Sequence, residues 1–309
     1  MNDSERVIIV GSRGSRLALR QTELVLAELS QRFPDRRFRV REVRTTGDRR
    51  PDASLAAIGG QGVFVKELET ALGARRVDLA VHSLKDVPAD LGEGLLLAAV
   101  TERADVRDAV VSRDNRRLTE LPAGSRVGTG SLRRAAQVRS LRPDLEVVDL
   151  RGNVDTRLRK VEEGLVDAAI LAAAGLARLG YLERAAEVLD TDVMLPAIGQ
   201  GALTLEARAD DAEVIELASA LDHRETRLAT TAERAFLARL GGGCRLPMAA
   251  LGIVEGDALR IRGLIADPEG RRILRGETAG AASDAEALGA GLAEQLLSQG
   301  AAELIAEAT

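Results

Sequence analysis

The chain is 309 residues long, 45% hydrophobic and 29% charged, with a formal net charge of −5 at pH 7. That is ordinary globular material, long enough for two or three domains. The acidic balance speaks against a general nucleic-acid binder, and four Phe, one Tyr and no Trp leave few platforms on which bases could stack.

The first two-thirds alternate short apolar strands with amphipathic helices. RVIIVG (6–11) reads as a strand and ALRQTELVLAELSQR (18–32) as a helix. FRVREV (38–43) alternates like a half-buried strand, FVKELETAL (64–72) is helical, and VDLAVHS (77–83) and LLLAAV (95–100) follow as strands. The rhythm resumes with DAVVS (108–112), RVGTGS (126–131), a helix over 132–141, EVVDL (146–150), a helix from 154 and VDAAILA (166–172). The pattern predicts an α/β fold built on largely parallel sheets with helices on both faces. After about residue 222 it changes. A long helix over 225–240 runs into the glycines 241–243, and PMAALGIV, ALRIRGLIA and RRILRGETA then read as three strands before a closing helix over 284–298. This predicts a small α+β domain.

Cys244 is the sole cysteine, so no internal disulfide framework is possible, which fits a reducing compartment. MNDSERVIIVG places acids before a five-residue apolar run, unlike a secretory signal. AAILAAAGLA (168–177) is too short to span a bilayer and reads as a buried strand and turn. The expectation is a soluble cytoplasmic protein, with no membrane and no nucleic-acid partner.

Four stretches carry candidate chemistry. In VGSRGSRLALRQ (10–21) a strand ends in glycine turns, and Ser12, Arg13 and Ser15 precede a helix. Backbone N–H groups at a helix start can seat an anion, or Ser15 can be an ordinary N-cap. VGTGSLRR (127–134) repeats the design with Thr129, Ser131, Arg133 and Arg134 and lacks the lysine of a P-loop. Between 126 and 159 eight arginines face four acids. Arg133, Arg134, Arg151 and Arg157 fall just after strand ends, where open α/β sheets bind ligands, and point to a polyanion. Arginine suits that task because its fork grips a carboxylate through two hydrogen bonds.

In AVHSLKDVP (80–88) an apolar strand runs into His-Ser-Leu-Lys-Asp. Asp86 beside Lys85 is either an acid/base group or half of a local ion pair in a surface turn. His82 reads as packed or hydrogen-bonded rather than as a metal ligand, because two histidines and one cysteine offer no zinc spacing. No metal is expected. In LGGGCRLPM (240–248) three glycines strip side-chain bulk from around Cys244, and Arg245 would favour its thiolate. A buried, inert thiol is the alternative.

These stretches, in this order, resemble the porphobilinogen deaminase family over essentially the whole chain. The motifs are SRGSRLALRQ, GGQGVFVKELE, AVHSLKDVP, VGTGSLRR, LRGNVDTRL, LPAIGQGAL and TAERAFLARLGGGCRLP. The resemblance implies a dipyrromethane cofactor held through a thioether by Cys244. It implies Asp86 as the catalytic carboxylate, with Ser83, Lys85, Thr129, Ser131, Arg133 and Arg134 binding the cofactor. Arg13, Ser15, Arg151, Arg157, Arg178 and Gln200 match substrate-binding positions, and porphobilinogen is the implied substrate of a monomer. Each pyrrole brings an acetate and a propionate, which accounts for the arginines.

The implied fold is two periplasmic-binding-protein-like (type II) α/β lobes plus a small C-terminal α+β domain. Lobe one takes 1–102 with 196–221, lobe two 103–195, and the cysteine-bearing domain 222–309. Arg16, Ala57, Gln61 and Gly130 depart from residues the family commonly has there. A non-enzymatic solute-binding protein of the same lobe architecture is the main rival, and it leaves the Cys244 loop and the third domain without a role.

Overall fold

The computed structural model describes residues 6–44, 65–241 and 247–307. It divides into two compact units, Met1–Arg103 with Ala202–Arg227, and Ala104–Gly201 with Leu228–Thr309. Elements are numbered along the chain.

In the first unit, β1 (Val7–Arg13) leads through Ser15 into α1 (Arg16–Arg32). The Ser15 hydroxyl accepts from the Ala18 N–H at 3.3 Å, satisfying one of the donors a helix start leaves open. The chain continues through β2 (Arg37–Val43), α2 (Lys66–Gly73), β3 (Leu79–Ser83) and β4 (Leu95–Val100), and the sheet is completed by β10 (Leu203–Arg208). The strand order is β2-β1-β3-β10-β4. Val25 and Leu29 of α1 pack with Ile8, Val10, Leu79 and Val81 on one face. Leu68 and Leu72 of α2 pack with Val77 and Ala80 on the other. Helices therefore cover both faces, as the alternation predicts. The half-burial expected for 38–43 is not found across the strand: β2 is an edge strand, and most of its residues are exposed.

In the second unit, β5 (Asp108–Ser112), β6 (Arg126–Gly128), α3 (Leu132–Leu141), β7 (Glu146–Val148), α4 (Val154–Glu162), β8 (Ala168–Ala172), α5 (Ala173–Arg178) and β9 (Glu187–Val188) follow in order. Their sheet runs β7-β6-β8-β5-β9. Each lobe thus has two parallel ladders, beside a strand that runs antiparallel to both of its neighbours: β10 in the first and β5 in the second. The expectation of largely parallel sheets is corrected to mixed ones. The reason lies in the path of the chain. In each lobe the antiparallel strand lies next to a point where the chain leaves one unit for the other, so no helical crossover ties it to its sheet neighbours.

The chain continues through α6 (Ala212–Ser219), α7 (Arg224–Arg239), the meander β11 (Met248–Glu255), β12 (Ala258–Ala266) and β13 (Ile273–Ala281), then α8 (Ala285–Leu296) and α9 (Ala302–Glu307). Phe236 of α7, Ile261 and Ile265 of β12 and Leu292 and Leu296 of α8 share the core of this C-terminal domain. Gly289 is required there, because a Cβ would sit 2.0 Å from the Ala232 carbonyl oxygen. Ala136 of α3 and Leu195 pack with Leu251 and Leu264, so lobe two and the meander share a core.

Two boundaries move. The turn expected within 168–177 is the helix α5, buried through Ala173, Ala174 and Leu176. The closing helix stops at Leu296, and a π-helical turn at Leu297–Ala301, with Gly300 at φ +104°, joins it to α9. Among the described residues no helix is long and apolar enough to cross a membrane.

Candidate active site

In the first unit the candidate residues Ser83, Lys85 and Asp86 lie at the carboxyl end of β3. The strand ends at Ser83, and a 3-10 turn, Leu84–Asp86, carries Lys85 and Asp86 out of it. Buried Leu84 anchors that turn, leaving Lys85 and Asp86 half-buried. Asp86 Oδ2 lies 3.8 Å from Arg13 Nη1, an ion pair longer than a hydrogen bond, and its side chain is 34% exposed. The Gln21 amide donates to the Ser83 hydroxyl at 3.0 Å. Arg13, Gln21, His82, Ser83 and Asp86 are among the residues lining one small cavity. Behind it His82 Nε2 meets Glu206 Oε2 at 2.9 Å, with both side chains buried. His82 is therefore hydrogen-bonded, as expected. Among the described residues no group of three His, Cys, Asp or Glu could hold a metal ion.

The second unit presents cations. Ser131 caps α3 by accepting from the Arg134 N–H at 3.5 Å, and Thr129 Oγ1 accepts from the Ser131 N–H at 3.1 Å. The design of 10–16 thus recurs at 127–134. Gly130 sits between them, where a Cβ would come 3.1 Å from the Leu150 carbonyl oxygen. Arg133 and Arg134, in the first turn of α3, are only 5% and 6% exposed. Both reach Asp108, the first residue of β5, which is fully buried. Gln200 joins the same carboxylate, its Nε2 donating to Asp108 Oδ1 at 2.9 Å and to the Val106 carbonyl at 2.7 Å. Burial opposes charge on Asp108, yet the two guanidiniums hold it well below the usual carboxylate range.

Arg151 Nε donates to Asp149 at 2.8 Å, and Arg157 Nε to the Gly152 carbonyl at 2.8 Å. Arg178, in the last turn of α5, donates to the Gly201 carbonyl at 2.7 Å and pairs with no carboxylate among the described residues. Burial alone pulls its guanidinium down to about 10. Cys244 lies outside the described residues, between the end of α7 and β11; Ala57 and Gln61 lie outside them too.

The structure thus gathers Arg13, Ser83 and Asp86 in one unit, and Arg133, Arg134 and Gln200 in the other. Asp108 escaped the sequence reading. Its signal was available: an acid at the head of the apolar run DAVVS must either face water or find cations.

The fold is thus two α/β lobes with matching strand order and a mixed C-terminal domain, with an aspartate near an arginine in the first unit and clustered arginines in the second. Two family models divide the chain between them. "Porphobilinogen deaminase, dipyromethane cofactor binding domain" matches residues 8–216, and "Porphobilinogen deaminase, C-terminal domain" matches 227–298. The porphobilinogen deaminase of Roseiflexus sp. (strain RS-1) is 52% identical over 302 residues, 98% of this chain and 99% of that one. That of Pelotomaculum thermopropionicum is 50% identical over 304 residues, 98% and 97% of the two chains. The chain belongs to the porphobilinogen deaminase family. Among solved structures, the methionine-binding protein MetQ aligns over 81% of this chain and 99% of its own with 14% identity and a TM-score of 0.44, a likeness too slight to carry weight.

Proposed function

We propose that this protein is a transferase that condenses four porphobilinogen units head to tail with loss of ammonia and releases hydroxymethylbilane by hydrolysis. The observation that carries this reading is Arg178, a half-buried guanidinium that meets only a carbonyl among the described residues. A desolvated cation of that kind is suited to receive an anionic ligand. We take that anion to be the acetate or propionate of a pyrrole, in keeping with membership of the porphobilinogen deaminase family.

The residues present fit a dipyrromethane group. Arg133 Nε is buried without an acceptor, an orphan donor of the sort a ligand carboxylate satisfies. When bound through Cys244, the group supplies the anchor and the nucleophilic pyrrole carbon to which units add. The residues implied by the family resemblance, Ser83, Lys85, Thr129, Ser131, Arg133 and Arg134, would hold it. Arg13, Ser15, Arg151, Arg157, Arg178 and Gln200 would serve the substrate.

Asp86 is the catalytic residue in this reading. Porphobilinogen that loses ammonia is left cationic, with its charge shared by the pyrrole nitrogen. A fixed carboxylate at the end of β3 stabilises that charge through the pyrrole N–H and accepts the proton released by the pyrrole carbon that attacks the cation's methylene. Its loose pairing with Arg13 suits the task, since a carboxylate locked in short hydrogen bonds has little capacity left for substrate.

We take the working parts to be a first lobe of 1–102 with 196–221, a second of 103–195 and a C-terminal domain of 222–309, with the return at 196–201 falling in the second compact unit, in a monomer in the cytoplasm. The test is the intact mass. The purified protein should exceed its sequence mass by two pyrrole units and colour with Ehrlich's reagent, and Cys244→Ala should do neither. Added mass still bound covalently to Cys244→Ala would sink the assignment.

A further inference from the structure

The side chains around Asp108 form a buried, densely hydrogen-bonded knot. Arg134 spends Nε and Nη2 on Asp108 Oδ1, at 3.1 and 2.6 Å, and Nη1 on the Ile170 carbonyl at 3.0 Å. Arg133 spends Nη1 on Asp108 Oδ2 and on the Leu195 carbonyl, both at 2.7 Å. Gln200 adds a donor to Oδ1. A single carboxylate therefore sets the planes of two guanidiniums and ties the first turn of α3 to the start of β5. Its charge is half of what the two arginines carry, so the knot stays cationic. Among the described residues Arg133 Nε and Nη2 have no acceptor, and Nε is fully buried.

We propose that Asp108 is a positioning residue: it takes the inward donors of Arg133 and Arg134 so that their remaining donors meet a ligand carboxylate already aligned. Nothing about ligand contact is required of Asp108 itself, which is fully buried. The physical benefit is preorganisation. A long arginine side chain that is free in the apo protein must be immobilised on binding, and one already fixed loses little more. The inference rests on the reading of Arg133 and Arg134 as cofactor-binding residues.

The experiment follows the mass of apo protein over time after mixing with porphobilinogen, as it gains the two pyrrole units of its own cofactor. Asp108→Asn keeps the shape and removes the charge; it should load at least about tenfold more slowly than the parent, the scale of one charge-assisted hydrogen bond. Asp108→Glu restores the charge on a longer arm and should load at a rate between the two. Leu158→Ala, a core truncation in the same lobe, provides the control: it should lower the melting temperature yet load at the parent's rate.

Parental loading by folded Asp108→Asn overturns the proposal, as does a Leu158→Ala defect as large as that of an Asp108 variant with the same melting temperature. So does an Asp108→Glu protein that is folded but loads no better than Asp108→Asn. Should Asp108→Asn fail to fold, Asp108→Glu decides alone: slower loading than the parent supports the proposal, and equal loading ends it. A parent that gains no mass at all refutes the deaminase reading instead, so the two failures are distinct.

Discussion

Two aspartates, one in each lobe, show what a shared frame leaves undetermined. Both lobes have the same strand order, and both start a helix with a capping serine just after the first strand of their parallel pair. Asp86 stands in a turn at the carboxyl end of β3, 34% exposed and 3.8 Å from its arginine. Asp108 stands at the start of β5, fully buried and bound by two arginines and a glutamine. The first has a single long ion pair, as the proposed catalytic role requires, and the second has its oxygens taken by three side chains, as the proposed positioning role requires. Exposure and the number of donors, rather than residue type, separate the two roles.

That contrast can be broken most directly at Asp86. Asp86→Asn should keep its melting temperature and lose at least about a hundredfold in turnover, the lower end for a general acid–base group. Near-normal turnover in a cofactor-loaded sample would move the chemistry elsewhere. Asp108→Asn should differ by losing stability as well as slowing cofactor loading: it leaves two buried guanidiniums without a counterion, costing about 3–5 kcal/mol of stability. A denaturant midpoint equal to the parent's would show that the knot contributes no stability.

Arg178 extends the comparison to the cations. Unlike Arg133 and Arg134 it has no carboxylate among the described residues, so its removal should cost binding rather than folding. Arg178→Leu should raise KM for porphobilinogen roughly ten- to a hundredfold, the range for one lost hydrogen bond to a charged group. An unchanged KM would assign Arg178 to the scaffold.

The smallest effect concerns acid. In lobe one Arg6 holds Asp211 down to about 2, against burial and with help from Arg208. A carboxyl lowered in the fold adds stability above its ordinary value near 4, and that stability is lost as pH falls toward about 2. Asp108 is held lower still, so its contribution should persist further into acid. Melting curves between pH 5 and pH 2 should therefore show a slope that Asp211→Asn flattens and that Arg178→Leu leaves alone. An unaltered slope in Asp211→Asn would contradict this.

Much of the frame was legible because its signals are local. Alternation and β-branched runs marked the strands of both lobes, and LLLAAV, DAVVS and ALRIRGLIA match β4, β5 and β12 residue for residue. Ser15 and Ser131 announced helix starts through their own hydroxyls. Asp86 was legible as a carboxylate at a strand's carboxyl end, since that position follows from the strand itself. The helix α5 was missed because AAILAAAGLA is apolar throughout, and without polar residues no period separates a strand and turn from a strand and helix.

Strand direction was beyond the sequence. β10 and β5 run against their neighbours because of where the chain passes between units, and no residue within either strand records that path. The burial of Arg133 and Arg134 was equally beyond it. Their partner Asp108 lies 25 and 26 residues away along the chain, and a sequence shows which charges exist but not which ones meet. What the sequence determined by itself was the set of elements, their caps and the residue types available for chemistry, since each depends on neighbours a few positions away. Only the tertiary structure decided which carboxylate stays partly open and which is closed in by arginines, because that depends on how strands far apart in sequence come together and exclude water.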